Sequence, residues 1–177
     1  MIKEIKEVLF TKEQIQEKVA ELGKELTEYY RGKDLLVVGI LNGAAPFMMD
    51  LIRKIDLPLA IDFIQVSSYN GTTHQGELVF KKDLNIDVKG KDVLFVDDII
   101  DTGKSAQAII DLFKTREANS IEFACLLDKK ENRIADYNAK FVGFVIPNRF
   151  VIGYGLDFDE KFRNLEYIGV LKEEYYC

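Results

Sequence analysis

Val93-Leu94-Phe95-Val96-Asp97-Asp98-Ile99-Ile100-Asp101-Thr102-Gly103-Lys104-Ser105-Ala106 runs from four apolar residues into two adjacent carboxylates, a third carboxylate and a Thr-Gly-Lys-Ser turn. The pattern predicts a short buried strand over Asp92 to Val96 and a helix opening near Gly103, with Ala106, Ile109, Ile110 and Phe113 on one face. Ligands of open α/β sheets bind beyond the C-terminal ends of the strands. A helix start adds unpaired N–H groups and the positive end of the dipole, which suit a phosphate. Gly103-Lys104-Ser105 imitates the end of a Walker A loop, but that pattern needs glycine at position 98, where this chain has Asp98. Three carboxylates would also repel a polyphosphate wrapped by the loop. One phosphate on the turn, hydroxyls on Asp97 and Asp98, and Asp101 free for chemistry describe a phosphorylated sugar. Helix capping alone would require one acid, not three.

Outward from this segment, strands alternate with helices. Leu35 to Leu41 is a continuous apolar run, as a strand covered on both faces requires. Before it, Thr11 and Gln14 form a capping-box pair, Ile15, Val19, Leu22 and Leu26 recur at helical spacing, and Gly32 is a C-terminal stop. Ala45 to Lys54 reads as a helix with Pro46 in its first turn. Leu59 to Val66 and Ile121 to Leu127 read as strands, as do two apolar runs between Phe141 and Gly155 split by Pro147-Asn148-Arg149, and Tyr167 to Leu171 closes the series. Ser67 to Glu77 is polar, without apolar period, and has the length of a lid or binding loop. The order predicts an α/β fold with a largely parallel central sheet flanked by helices. With 177 residues, no repeat and no linker, one domain over 1–177 is expected.

Composition narrows the chemistry. Thirty acids against twenty-four bases leave a net charge of -6, which argues against a nucleic-acid binder working through bulk positive charge. No apolar run approaches the roughly 18–20 residues of a membrane span, and MIKEIKEVLF has no signal-peptide core, so a cytoplasmic chain is expected. A single histidine, His74, excludes a zinc site built on two histidines and any HExxH protease. Cys125 lies in an apolar run and reads as a small hydrophobe; a bridge to Cys177 is not expected in a reducing compartment. Carboxylates, lysines and backbone amides are left to do any catalysis.

The carboxylate-rich segment resembles the phosphoribosyl-diphosphate motif of type I phosphoribosyltransferases, in the form found in hypoxanthine-guanine phosphoribosyltransferases. The resemblance continues through Leu41-Asn42-Gly43 (pyrophosphate loop), Ser68-Tyr69 (start of a mobile lid) and Leu126-Leu127-Asp128-Lys129 (base recognition). It ends in Phe141 to Asp157, followed by Phe162-Arg163-Asn164-Leu165, as a small C-terminal hood over the purine. It implies reversible transfer of the 5-phosphoribosyl group from phosphoribosyl diphosphate to a 6-oxopurine, with Mg²⁺ and with no nucleic-acid or membrane partner. A homo-oligomer, dimer or tetramer, is usual in that family.

The same resemblance implies the roles. Asp101 would be the general acid/base at purine N7. Thr102, Gly103, Lys104 and Ser105 would cradle the 5′-phosphate, and Asp97 and Asp98 would bind the ribose hydroxyls near the metal. Lys129 would donate to O6, Phe150 stack on the base with Ile99 on its other face, and the Val151 backbone read its edge. Asn42, Gly43, Ser68, Tyr69 and Arg163, the last expected on a helix, would bind pyrophosphate. Asp157, at a strand end, would serve a second Mg²⁺. Two positions depart from the resembled pattern: Asp97 stands where glutamate is usual, and Asn42 where lysine is common beside a strained non-proline peptide bond. The alternatives are a sibling preferring guanine or xanthine, and a non-catalytic regulator that keeps the sugar-phosphate site. Asp101, Lys129 and Arg163, together with the acidic net charge, argue against the regulator.

Overall fold

A computed structural model describes residues 2–68 and 78–176. Along the chain, β1 (Ile5–Phe10) and α1 (Lys12–Tyr30) precede β2 (Leu35–Ile40), α2 (Ala45–Ile52) and β3 (Ala60–Ser68). Next come β4 (Leu78–Lys82), β5 (Asp92–Ile100), α3 (Lys104–Lys114) and β6 (Ser120–Asp128), then β7 (Phe141–Val145), β8 (Val151–Ile152) and β9 (Ile168–Leu171). Six of the strands form one sheet in the order β4-β3-β2-β5-β6-β7. All its pairings are parallel except β3 with β4 at the edge.

The central strands are apolar throughout because both faces are covered. Leu35, Val37, Leu94, Val96, Ala124 and Leu126 point to one side, into a core shared with α1 and α2. Leu36, Val38, Val93, Phe95, Phe123 and Cys125 point to the other, where the Ala106, Ile109, Ile110 and Phe113 face of α3 lies as the spacing predicts. Cys125 is buried there as a free thiol, and Cys177 lies outside the described residues. At the start of α1 the capping box closes in both directions. Gln14 N–H donates to Thr11 Oγ1 at 3.3 Å, and Thr11 N–H donates to Gln14 Oε1 at 2.9 Å.

A second, three-stranded antiparallel sheet has the order β1-β9-β8. It shares Val151, Tyr154, Leu156, Ile168 and Val170 with the α1/α2 core, so the hood is packed onto the larger sheet through apolar contact. Its N-terminal strand β1 was not anticipated from the sequence. Charged residues interrupt IKEVLF, only Ile5 is fully buried, and its pairing partner β9 lies far away in the chain. The edge strand β4 also went unread; it is short, and its Lys81 and Lys82 suit an exposed sheet edge. Among the described residues no helix is long and apolar enough to cross a membrane.

Candidate active site

β5 continues past its apolar run to Ile100, so Asp97 and Asp98 sit within the strand rather than in the loop after it. Parallel pairing with β6 sets Asp97 opposite Cys125 and Ile99 opposite Leu127. Backbone N–H groups orient both carboxylates: Asp98 N–H donates to Asp97 Oδ1 at 3.0 Å and Ile99 N–H to Asp98 Oδ1 at 2.8 Å. Burial, then the neighbouring Asp98 charge, push the Asp97 carboxyl well above the usual carboxylate range. Burial also raises Asp98, against the opposing pull of the Asp97 hydrogen bond, the Ile99 N–H and the Arg163 charge. Buried side by side, the two carboxyls resist carrying two negative charges at once.

Directly against it lies the turn after β2. A Cβ on Gly43 would overlap the Asp98 carboxylate, so only glycine lets the turn approach this closely. The Leu41–Asn42 peptide bond is cis, and Asn42 is exposed beside it.

Asp101 leaves the end of β5, and Thr102 and Gly103 lead into α3. Gly103 is its N-cap at φ +78°, and a Cβ there would also press on the Arg133 side chain. Lys104 N–H reaches Thr102 Oγ1 at 3.4 Å. The first N–H groups of a helix have no intrahelical acceptor and are open to an anion. A cavity of about 140 Å³ lies here, lined by Asp97, Ile99, Ile100, Asp101, Thr102, Gly103, Ser105 and Ala106. Lys104 is exposed and does not line it.

A second cavity, of about 230 Å³, adjoins the first through Ile99 and Asp101. Asp98, Lys129, Phe150, Val151, Leu156 and Asp157 complete its walls. Lys129 is only 9% exposed, with Nζ 3.8 Å from Asp101 Oδ2. Phe150 is 37% exposed and has a second ring, Tyr176, stacked on it with centroids 4.9 Å apart. Asp157 Oδ1 is ion-paired with Arg163 at 2.9 Å, and the guanidinium donates to Gly155 O at 2.8 Å and Glu160 Oε2 at 3.2 Å. Arg163 lies in a turn, not on the expected helix; positive φ at Asp159, Glu160 and Phe162 is incompatible with helix before it.

Most of the residues picked from sequence therefore line two cavities that share Ile99 and Asp101. Ser68 ends β3, its backbone paired with Leu78. Its side chain, Tyr69, His74 and the lid expected over Ser67 to Glu77 lie outside the described residues, apart from the backbone of Ser67 and Ser68. Three contributors were missed. Leu156 is one of many apolar residues, and its place in a wall depends on the hood. Asn132 donates to Asp101 Oδ1 at 2.8 Å, and Arg133 Nη1 to Asp101 O at 2.9 Å. Both belong to a polar stretch whose only signal is its position directly after Lys129.

Residues 8–159 match the phosphoribosyl transferase domain family. The chain is 51% identical over 99% of its length to the bifunctional protein TilS/HprT of Listeria monocytogenes, of which it spans 27%. To a hypoxanthine-guanine phosphoribosyltransferase of Streptococcus thermophilus it is 49% identical, covering 98% of this chain and 97% of that one. The crystal structure of a hypoxanthine phosphoribosyltransferase from Staphylococcus aureus superposes with a TM-score of 0.94 at 51% identity, covering 98% of this chain and 95% of the other. Agreement at this level over nearly the whole length, in sequence and in fold, leaves one assignment: the chain belongs to the phosphoribosyl transferase family, in its hypoxanthine-guanine branch.

Proposed function

We propose that this protein transfers the 5-phosphoribosyl group from phosphoribosyl diphosphate to hypoxanthine, and to guanine, giving IMP or GMP and pyrophosphate. The observation that carries this reading is the pair of adjoining cavities that share Asp101 and Ile99. One is lined by the turn that opens α3, the other by Lys129, Phe150 and Val151. A phosphosugar in the first and a planar base in the second would meet at Asp101.

In the reaction a base nitrogen forms a bond to ribose C1 as the C1–O bond to pyrophosphate breaks, its electron pair leaving with the pyrophosphate. Positive charge grows on the ribose, beside the Asp97–Asp98 pair that would hold its hydroxyls. Asp101 takes the proton released at purine N7 and returns it in the reverse direction. Thr102, Gly103, Lys104 and Ser105 hold the 5′-phosphate through hydroxyls and backbone N–H groups. Lys129, a donor with no acceptor, favours the O6 of 6-oxopurines over the 6-amino group of adenine. Phe150 and Ile99 sandwich the ring, and the Val151 backbone meets its edge. Asn42, Gly43, Ser68, Tyr69 and Arg163 form the pyrophosphate side.

Mg²⁺ fits this donor set. Asp97 and Asp98 are adjacent oxygen donors, and Asp157 lines the same cavity as Asp98. Among the described residues no three His, Cys, Asp or Glu side chains converge on one point. The protein would thus supply one or two carboxylates to an ion and leave the rest of the shell to diphosphate oxygens and water, as is usual for Mg²⁺. The bound ion supplies charge neutralisation of the departing pyrophosphate. We place the reaction in the cytoplasm, where a thiol such as Cys125 stays reduced.

The test is a panel of hypoxanthine, guanine, xanthine and adenine with phosphoribosyl diphosphate and Mg²⁺, followed by nucleotide formation. Product from hypoxanthine and guanine with adenine inert is expected. No nucleotide from any base removes the proposal.

A further inference from the structure

Asp101 is held by a residue that lines neither cavity. Its side chain is about half exposed at a strand end, where a carboxylate has several rotamers open to it. Asn132, 31 residues further on, donates from Nδ2 to Asp101 Oδ1 at 2.8 Å. The opposite oxygen, Oδ2, faces Lys129. Since an ionised carboxylate only accepts, the Asn132 amide must present its nitrogen.

The backbone under Asn132 is fixed at both ends to the loop that carries Asp101. Lys129 N–H donates to Ile100 O at 2.9 Å, and Asn132 N–H closes a turn on Lys129 O at 3.1 Å. Beyond it, Ile134 and Ala135 N–H both donate to Thr102 O, at 2.9 and 3.0 Å. Arg133 spans the gap: it is ion-paired with Asp128, itself 1% exposed, and donates to Asp101 O. The segment that presents Lys129 and the loop that presents Asp101 are one rigid unit, and Asn132 is the side chain joining it to the carboxylate.

We propose that Asn132 is a positioning residue that holds the Asp101 carboxylate in the orientation needed for proton transfer at the purine. The amide fixes the carboxylate through a hydrogen bond on Oδ1 and adds no further charge to that of Lys129 on Oδ2. This role rests on the reading of Asp101 as the proton-transfer group.

The test is a double-mutant cycle on the full chain. Asn132→Ala and Asn132→Asp are made alone, and Asn132→Ala also in an Asp101→Asn background. The readouts are the single-turnover rate of IMP formation, which excludes product release, and KM for both substrates. Asn132→Ala is expected to slow the step about tenfold, equivalent to ~1.4 kcal/mol, with both KM values within about twofold. Asn132→Asp, which sets a second carboxylate against the first, is expected to be slower still. In the Asp101→Asn background, Asn132→Ala should change the rate by less than about twofold, because its effect passes through Asp101. An equal loss in both backgrounds, an unchanged rate, or a rise in KM that accounts for the loss overturns the positioning role. A wild-type chain that makes no nucleotide from any base instead overturns the reaction, and the positioning role with it.

Discussion

Lys129 follows the last residue of β6 with its side chain only 11% exposed. Its nearest carboxylate oxygen, Asp101 Oδ2 at 3.8 Å, is beyond hydrogen-bond distance. The ammonium therefore keeps donors for the cavity it lines. A charged donor on a ligand oxygen contributes about 1.5–3 kcal/mol, so Lys129→Ala should lower the preference for hypoxanthine over adenine by about 10–100-fold. The ratio of kcat/KM for the two bases measures this directly, and an unaltered ratio argues against the O6 contact. At this scale the sequence was readable where the site is contiguous. Asp97 to Ser105 carry their meaning locally, as carboxylates on a strand end followed by a helix start. Asn132 was unreadable because its role is a contact across 31 residues, and an asparagine in a polar stretch looks the same with or without that contact.

β3 shows what a single buried carboxylate does for an element. Asp62 is 6% exposed on this strand and gathers the chain that follows β4. Asn85 and Ile86 N–H donate to its Oδ2 at 2.6 and 3.0 Å, while Phe63 N–H and Lys82 Nζ donate to Oδ1 at 2.7 and 3.1 Å. Burial alone would raise its pKa, but these donors together outweigh burial and hold it below the usual value. A carboxylate lowered in the fold contributes stability above its unfolded pKa and loses it as pH falls through the folded value. At pH 7, Asp62→Ala should cost about 2–3 kcal/mol, because several partly buried donors lose their acceptor. That corresponds to roughly 5–10 °C in Tm. The gap should narrow as pH falls below the ordinary value of about 4, where the unfolded chain begins to take up the proton, and close as pH falls through the lower folded value. Thermal unfolding of both proteins at pH 7 and in acid measures the gap, and a gap independent of pH assigns the loss to packing instead. The partly apolar β3 was legible, whereas β4 was not: its five residues gain their strand conformation from the antiparallel pairing with β3.

Across the whole molecule the site depends on how the hood meets the larger sheet. The hood joins both ends of the chain, with Ile5 paired to Leu171, and no local pattern in MIKEIKEVLF announces a partner so distant. One anchor is polar: Tyr154 OH and Gln16 Nε2 both donate to Asp50 Oδ2, at 2.6 and 2.7 Å, tying the hood to α1 and α2. The other is a close approach of two backbones. Gly155 has φ +102°, and a Cβ on it would overlap the carbonyl oxygen of Gly43, in the turn that itself lies on Asp98. Arg163 donates to Gly155 O, so Arg163, the hood, that turn and Asp98 follow one another in contact. A methyl group at Gly155 has to separate hood and turn, in addition to the strain of placing a side chain at positive φ. Gly155→Ala should therefore raise KM for phosphoribosyl diphosphate about tenfold or more, since the proposed function assigns both the displaced turn and Arg163 to pyrophosphate. Tyr154→Phe, which removes only the hydroxyl, should lower Tm and leave that KM within about twofold. Steady-state kinetics beside thermal unfolding separates the two effects. Equal KM values for both variants and the wild type would mean that the glycine contact serves packing alone, and that the pyrophosphate side tolerates a shifted hood.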